Sequence, residues 1–552
     1  MPESTVPTIK INERPQVNTK FESGWISVVI DRKNHLWTDS ESFKKLDLKQ
    51  KHSWLKLQGL VHKDDRQYAL DMITDEVHKD DWKDRKERPQ NYKESNEILT
   101  LILQSKKDEA TEKIADHIMK NEHIYTTRDD DKAEIWIYYK GIYVPQGKTF
   151  INEICRLFLG EAYSTNITNR VIAKIEVDTY IDANKFFTYN KIDEIAVENG
   201  LLNIFTKELR DFTPKEIFFN KIPVKFDPDA KCPAISKHLK EVLKNPRDSY
   251  IIEELAGFFL LKEYKYEKAF MLLGGGRNGK GKTLELLKRF IGIDNCANIP
   301  LQQLETDPFS MGELFNKLAN LSGDIDKKAL NHTGTFKTLT GRDMVSASRK
   351  FKNRINFVNY AKMVFLANEL PETQDLTIAF FDRWILLDFP YTFLSQNEYD
   401  MLDGIDRQRL PIKIADPEII IKLTQPEELS GLLNLALEGL SRLTKQKDFS
   451  YTKSNDEVKK MWLRKSSSLS AFLMDCVEEK YDGYVKKSKL RQVYSKYCKD
   501  HKLIMTTDKK IKETLAINFG AIDGRKYLDD EQVYVWEGIK IKESILKQLK
   551  IS

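Results

Sequence analysis

The stretch Met271–Arg289, MLLGGGRNGKGKTLELLKR, decides how the rest of the chain is read. It contains Gly276-Arg277-Asn278-Gly279-Lys280-Gly281-Lys282-Thr283, which satisfies the G-x-x-x-x-G-K-[ST] pattern of a phosphate-binding loop. The flanks agree. Ala269–Leu273 is a short apolar run suited to a buried strand, and Leu284, Leu286 and Leu287 gather on one side of a following helix. Glycines let the backbone wrap round phosphate oxygens, so that successive N–H groups and the helix N-terminus face negative charge. In this frame Gly276 to Gly281 cradle the phosphates of ATP, Lys282 reaches the β- and γ-phosphates, and the Thr283 hydroxyl ligates Mg²⁺.

The chain has 552 residues, enough on the usual domain-size prior for three or four domains. A hydrophobic share of 41% and a charged share of 31% describe a folded, somewhat charge-rich protein. The net charge of +5 neither demands nor excludes nucleic acid, so its distribution must decide. The five cysteines form no C-x-x-C pair and no grouping with histidine, which argues for reduced thiols and against a disulfide framework or a zinc site. MPESTVPTIKINERPQ lacks an apolar core and no later run reaches membrane-spanning length, so the expectation is a cytoplasmic protein with no membrane partner.

Patterning divides the chain into five parts. Residues 1–94 comprise a polar arm, Met1–Lys20, with three prolines, and an accessory segment of unclear fold in which Trp25–Ile30 reads as a strand. The acidic groups Asp64-Asp65, Asp80-Asp81 and Asp129-Asp130-Asp131 sit in polar surroundings, so they read as solvated loops in preference to a two-metal site. Residues 95–250 form a mixed α+β region with a strand pair, AEIWIYYKGIYV, turning at Lys140-Gly141, a second turn at Asn199-Gly200, and a closing helix at Ala234–Leu243. Residues 251–426 are the core around the loop, 427–467 a helical linker, and 468–552 a C-terminal domain.

Downstream of the loop, a nucleoside triphosphatase needs an acid at a neighbouring strand end, a polar group at the γ-phosphate and an arginine for the transition state. Leu318–Leu321 ends in Ser322-Gly323-Asp324-Ile325-Asp326: Asp324 would hold Mg²⁺, and Asp326 either polarises the attacking water or caps a turn. Met363–Ala367 is an apolar strand that stops at Asn368, whose amide can touch phosphate and water. Arg383 opens another apolar strand, Trp384–Phe389, where a cation needs an anionic partner.

This set resembles the superfamily 3 helicases of viruses, phages and plasmids, and within them the phage/plasmid and poxvirus-type primase-helicase branch. GGGRNGKGKT, FKTLTGRDMV, FLANELPET and FFDRW carry the resemblance, with IYYKGIYV and VENGLLNI upstream similar to that branch's helicase-associated N-terminal domain. Two features depart from the family: Ile325 separates the two acids, and Asp382 precedes a lone Arg383. The resemblance implies a multidomain α/β protein with a P-loop, AAA+-like ATPase core. It also implies a homo-oligomeric ring, typically a hexamer, with ATP held between neighbours and Arg383 acting on the next subunit's nucleotide. Between the acid strand and Asn368 the family places a hairpin that grips single-stranded DNA. Here that region is Met344–Phe357, with Arg349, Lys350 and Lys352 as phosphate contacts and Phe351 among them. The implied activity is 3′-to-5′ translocation on single-stranded and forked DNA in replication, alongside a primase or polymerase. The alternatives are a primase-helicase with a cryptic primase, or an origin-binding initiator or translocase.

In the C-terminal domain, helices at Leu469–Glu479, Lys489–Cys498 and Asp508–Ile517 precede a strand pair at Ala521–Trp536. The order resembles a winged helix, in which the third helix, with Lys509, Lys510 and Lys512, would enter the major groove.

Overall fold

The computed structural model describes residues 92–127, 133–188, 191–307, 309–325, 328–349, 352–501, 503–528 and 531–548, together with three strands nearer the N-terminus. Asp326, Lys350, Phe351, the three acidic groups and residues 1–16 of the expected arm lie outside the described residues. The chain divides into two compact units, residues 1–114 with 153–170, and residues 115–152 with 171–552.

In the first unit Val17–Glu22, Trp25–Ile30 and Asn34–Asp39 pair in that order as an antiparallel meander. The helix Tyr92–Leu103 buries Ile98, and Arg170 donates to Asp108 at 2.6 Å.

The second unit begins with a small sheet. Glu134–Tyr139 and Ile142–Val144 pair across Lys140 and Gly141, both with positive φ (46° and 98°), as a two-residue hairpin turn requires. A Cβ on Gly141 would meet the Phe212 ring at 2.4 Å, so close packing as well as backbone geometry selects glycine there. Trp136, Tyr143 and Phe186 form its aromatic core, and Phe187 meets Phe315 of the following region edge-on at 5.0 Å.

Next come α1 (Pro233–Val242), α2 (Ser249–Leu260), β1 (Ala269–Leu273), α3 (Lys280–Ile291), β2 (Cys296–Ala297) and β3 (Ala319–Asp324). They are followed by β4 (Met344–Arg349), β5 (Lys352–Val358), β6 (Lys362–Ala367) and β7 (Trp384–Asp388). The strands other than β4 and β5 make one parallel sheet in the order β2-β3-β6-β1-β7. AFMLL, KMVFLA and WILLD are near-continuous apolar runs because β1, β6 and β7 are covered on both faces. The sheet places the ends of β1, β3 and β6 at one edge, where parallel α/β sheets carry their ligand crevice. Strands β4 and β5 leave the sheet as an antiparallel hairpin whose last pair is Arg349 opposite Lys352.

The segment expected as a linker is part of the core. Helix α4 (Pro426–Gln446) lies along α2, and Gly257 and Gly439 mark their closest approach: a Cβ would meet Ala436 O at 2.2 Å and Glu253 O at 2.5 Å respectively. Helix α5 (Asn455–Ser466) inserts Trp462, fully buried, against Trp384 and Phe380. An apolar face at helical spacing with glycines at the contacts is packing chemistry, and a linker has no use for it.

The C-terminal region consists of α6 (Ser468–Cys476), β8 (Val477–Lys486), α7 (Lys487–Asp500), α8 (Asp508–Phe519), β9 (Ile522–Leu528) and β10 (Glu531–Ile541). The first helix stops at Cys476, three residues earlier than the sequence suggested, because Val477–Lys486 pairs with β10 as a third strand, in sheet order β8-β10-β9. Tyr481, Tyr484 and Val485 supply the strand-favouring side chains. Among the described residues no helix is long and apolar enough to cross a membrane.

Candidate functional site

The loop after β1 is held by its own residues. Asn278 is buried and donates to Phe389 O at 3.1 Å, while its Oδ1 accepts from Lys280 N at 3.3 Å. Gly279, at φ +90°, is the residue that caps the N-terminus of α3, and a Cβ there would meet Val242 at 2.7 Å. Arg277, at φ +57°, turns away to pair with Glu398 through both guanidinium nitrogens, and its carbonyl accepts from Phe393 N at 2.7 Å. At Gly275, Gly276 and Gly281 a Cβ would meet nothing within 4 Å. These three glycines answer to no neighbour in the chain; they leave one face of the loop open, as close approach of a phosphate requires.

The lysine that turns into this loop is Lys280. It is the first residue of α3, and its buried ammonium donates to Gly274 O, to Ala367 O at 3.0 Å and to Asn368 Oδ1 at 2.7 Å. Lys282, expected in that place, is exposed on the first turn of α3 and has no hydrogen bond or ion pair among the described residues. The helical period explains the difference, since two residues along α3 rotate a side chain by about 200°. Thr283, expected at a metal ion, is fully buried instead: its hydroxyl donates to Gly279 O at 3.1 Å and lies 3.2 Å from His238 Nε2. Burial pushes the His238 imidazole down to about 4, so it is neutral beside that hydroxyl. The signal for Lys280 was in the sequence, because Gly274-Gly275-Gly276-Arg277-Asn278-Gly279-Lys280 is also G-x-x-x-x-G-K. In that frame Gly281 takes the hydroxyl's position, and a search requiring Ser or Thr passes over it.

Asn368 directly follows β6 and is exposed beside the loop. Asp324 ends β3 in register with Leu366, after a bulge at Ser322 and Gly323, which sets its backbone at the same sheet edge. Arg383 is at the other end. It precedes β7, its carbonyl accepts from Ala269 N at 2.6 Å, and its guanidinium donates to Thr340 Oγ1 at 3.0 Å and pairs with Glu267 at 3.3 Å. At about 3.3 Å per strand residue, it stands roughly 20 Å from the loop of its own chain.

The DNA-contact residues are also distributed differently from expectation. Arg349, expected free at the hairpin turn, is mostly covered, 3.7 Å from Glu134 and with its guanidinium 5.7 Å from the Phe315 ring centre. Of Lys352 the structure describes the strand position opposite Arg349. Lys510 is turned to Glu372 of the core, so that side of α8 meets protein. Lys509 and Lys512 line a cavity of the C-terminal region.

Comparison with known proteins adds an independent line. Residues 39–244 match the family described as D5 N terminal like, and residues 272–379 match a family of unknown function, DUF5906. Over 363 residues the chain is 21% identical to a putative helicase, V13, of Sputnik virophage, covering 63% of this chain and 44% of that protein. Over 215 residues it is 26% identical to the putative helicase L207/L206 of Acanthamoeba polyphaga mimivirus, covering 37% and 22% respectively. The chain thus spans less than half the length of these curated relatives. Among solved structures it is similar to the NrS-1 C terminal region, at 13% identity and a TM-score of 0.40 over 77% of this chain and 98% of that one. A region similar to the D5 N-terminal-like family thus directly precedes the loop-bearing sheet, and the viral proteins to which the chain is similar are described as putative helicases, which supports its resemblance to the phage and viral primase-helicase branch.

Proposed function

We propose that the chain is an ATP-dependent replicative DNA helicase of a virus, phage or plasmid-like element, built on a P-loop core and working as a ring, of six copies, on single-stranded DNA. The observation that carries this reading is the meeting of Lys280 and Asn368 at the mouth of the open glycine loop. An ammonium, a helix N-terminus and an amide converge there on space that no side chain fills, which suits a triphosphate. On binding, Lys280 exchanges loop carbonyls for phosphate oxygens, and Asn368 donates its amide N–H to the terminal phosphate. Mg²⁺ arriving with the nucleotide supplies charge neutralisation; Asp324, at the neighbouring strand end, is the residue that would face it. Thr283 is withdrawn as a ligand and Gly281 offers none. Arg383, remote from its own loop, would serve the nucleotide of an adjoining copy.

The hairpin of β4 and β5, whose last described pair is Arg349 opposite Lys352, is the element that would move DNA, with Lys350 and Lys352 as its proposed phosphate contacts. The order helix, strand, helix, helix, strand, strand supports a winged-helix reading of residues 468–552. Opening of forked DNA in the 3′-to-5′ direction, and work beside a primase or polymerase, follow from the family likeness. The test is ATP-dependent separation of a forked duplex by the purified chain, with Lys280→Ala as control. Strand separation that survives in that variant overturns the reading, and hydrolysis without separation favours an initiator or translocase.

A further inference from the structure

The C-terminal region holds a cavity of about 660 Å³ between α6, α7, α8 and β10. That is within the range of roughly 300–1,000 Å³ typical of binding pockets. Its floor is apolar, made by Leu469, Phe472, Leu490, Ile511 and Trp536. Its rim is cationic, with Lys487, Arg491, Lys509 and Lys512 against Asp508 in the lining and Asp523 close by.

The rim charges are available. Lys509 has no ion pair or hydrogen bond among the described residues. Arg491 pairs with Asp508 at 2.6 Å, but the two side chains are 63% and 66% exposed, and Lys512, 63% exposed, reaches Asp523 at 3.1 Å. Pairs this open to water contribute little and exchange readily for another carboxylate. Lys487 is more firmly placed, bound to Asp523 and 4.5 Å above the Trp536 ring.

We propose that this cavity receives an acidic peptide whose carboxylates engage the rim while an adjacent bulky apolar side chain enters the floor. Nucleic acid suits it less well. Phe472, Tyr494 and Trp536 line a concavity and do not project as a platform along which successive bases would stack. Lys510, the cation of α8 outside the cavity lining, pairs with Glu372 of the core, so the cations of α8 do not form one free stripe for a duplex groove. A concave apolar floor with cations at its edge has the complementarity of a short amphipathic acidic segment. The inference stands independently of the nucleotide site.

The test is fluorescence anisotropy with the full chain and a labelled Asp-Asp-Asp-Leu-Phe peptide, beside a control in which Leu and Phe are replaced by Ser. Saturable binding that weakens with salt is expected, with a loss of roughly tenfold in affinity for each of Lys509→Glu and Arg491→Glu and for the control peptide. Both substitutions are at exposed positions, and circular dichroism checks that they leave the fold intact. Absent saturable binding, equal affinity for the control peptide, or indifference to both substitutions overturns the proposal. So does displacement of the peptide by a single-stranded oligonucleotide that is itself weakened by Lys509→Glu, since the cavity would then be a nucleic-acid site.

Discussion

Lys280 and Asn368, 88 residues apart in sequence, are joined by a hydrogen bond of 2.7 Å across the edge of the parallel sheet. An ammonium only donates, so the amide atom facing it is the oxygen, and Asn368 Nδ2 is turned the other way. The lysine thereby ties the loop after β1 to the end of β6 and presents an N–H where the terminal phosphate would lie. Asn368→Asp should keep the tie, because a carboxylate also accepts from Lys280, while replacing the N–H by a second acceptor facing an anion. Nucleotide turnover should fall about a hundredfold, on the scale of losing one transition-state donor, while the melting temperature stays within a few degrees. Undiminished turnover would sink the proposed contact.

Lys280 and Lys282 should separate cleanly. Lys280→Ala removes three hydrogen bonds and the cation of the loop, and should abolish ATP hydrolysis. Lys282→Ala alters an exposed side chain and should leave turnover within about threefold, since surface substitutions away from such features change little. Steady-state ATPase assays decide between the two frames; the reverse ranking restores the one in which Lys282 meets phosphate.

Strand–loop–helix, acid strand and asparagine-ended strand were legible because each rests on a local pattern: apolar runs for β1 and β6, glycines for the loop. The frame of the loop was not legible, because both Lys280 and Lys282 complete a G-x-x-x-x-G-K match and only the start of α3 says which one turns inward. Long-range partners were equally hidden. Nothing near Arg349 announces Glu134, nothing near Lys510 announces Glu372, and a basic run reads the same whether its charges meet solvent, DNA or carboxylates. Trp462 shows the converse, an aromatic in a charged stretch whose burial depends on Trp384, far off in sequence.

His238 gives the protein a pH-dependent component of stability. Its folded-state value of about 4 lies below the ordinary 6.5, owing to burial. Between these values the unfolded chain binds a proton that the folded chain does not, so stability is complete above about pH 6.5 and declines as the pH falls toward 4. A shift of this size corresponds to about 3 kcal/mol at most. His238→Gln, which keeps a polar group beside Thr283 and cannot titrate, should show a smaller fall in urea midpoint between pH 7.5 and 5. Identical falls in the two proteins would refute the assignment to this side chain.

Arg383 and the glycine loop occupy opposite ends of the pair β1 and β7: Trp384 is in register with Ala269, and Asp388 with Leu273. A guanidinium set about 20 Å from its own loop cannot reach a phosphate held there without breaking the sheet, so any catalytic part it plays belongs to a neighbouring copy. Lys280→Ala and Arg383→Ala proteins should each be inactive alone in ATP hydrolysis. Mixed, they should recover a measurable fraction of activity, because some junctions then join an intact loop on one copy to an intact arginine on the next. Arg383 is also bound to Thr340 and Glu267, so the charge-preserving Arg383→Lys separates the loss of those contacts from the loss of bidentate donation. If every mixing ratio gives only the sum of the separate residual rates, the arginine is a structural tie between β7 and its surroundings, and the catalytic cation must be sought elsewhere.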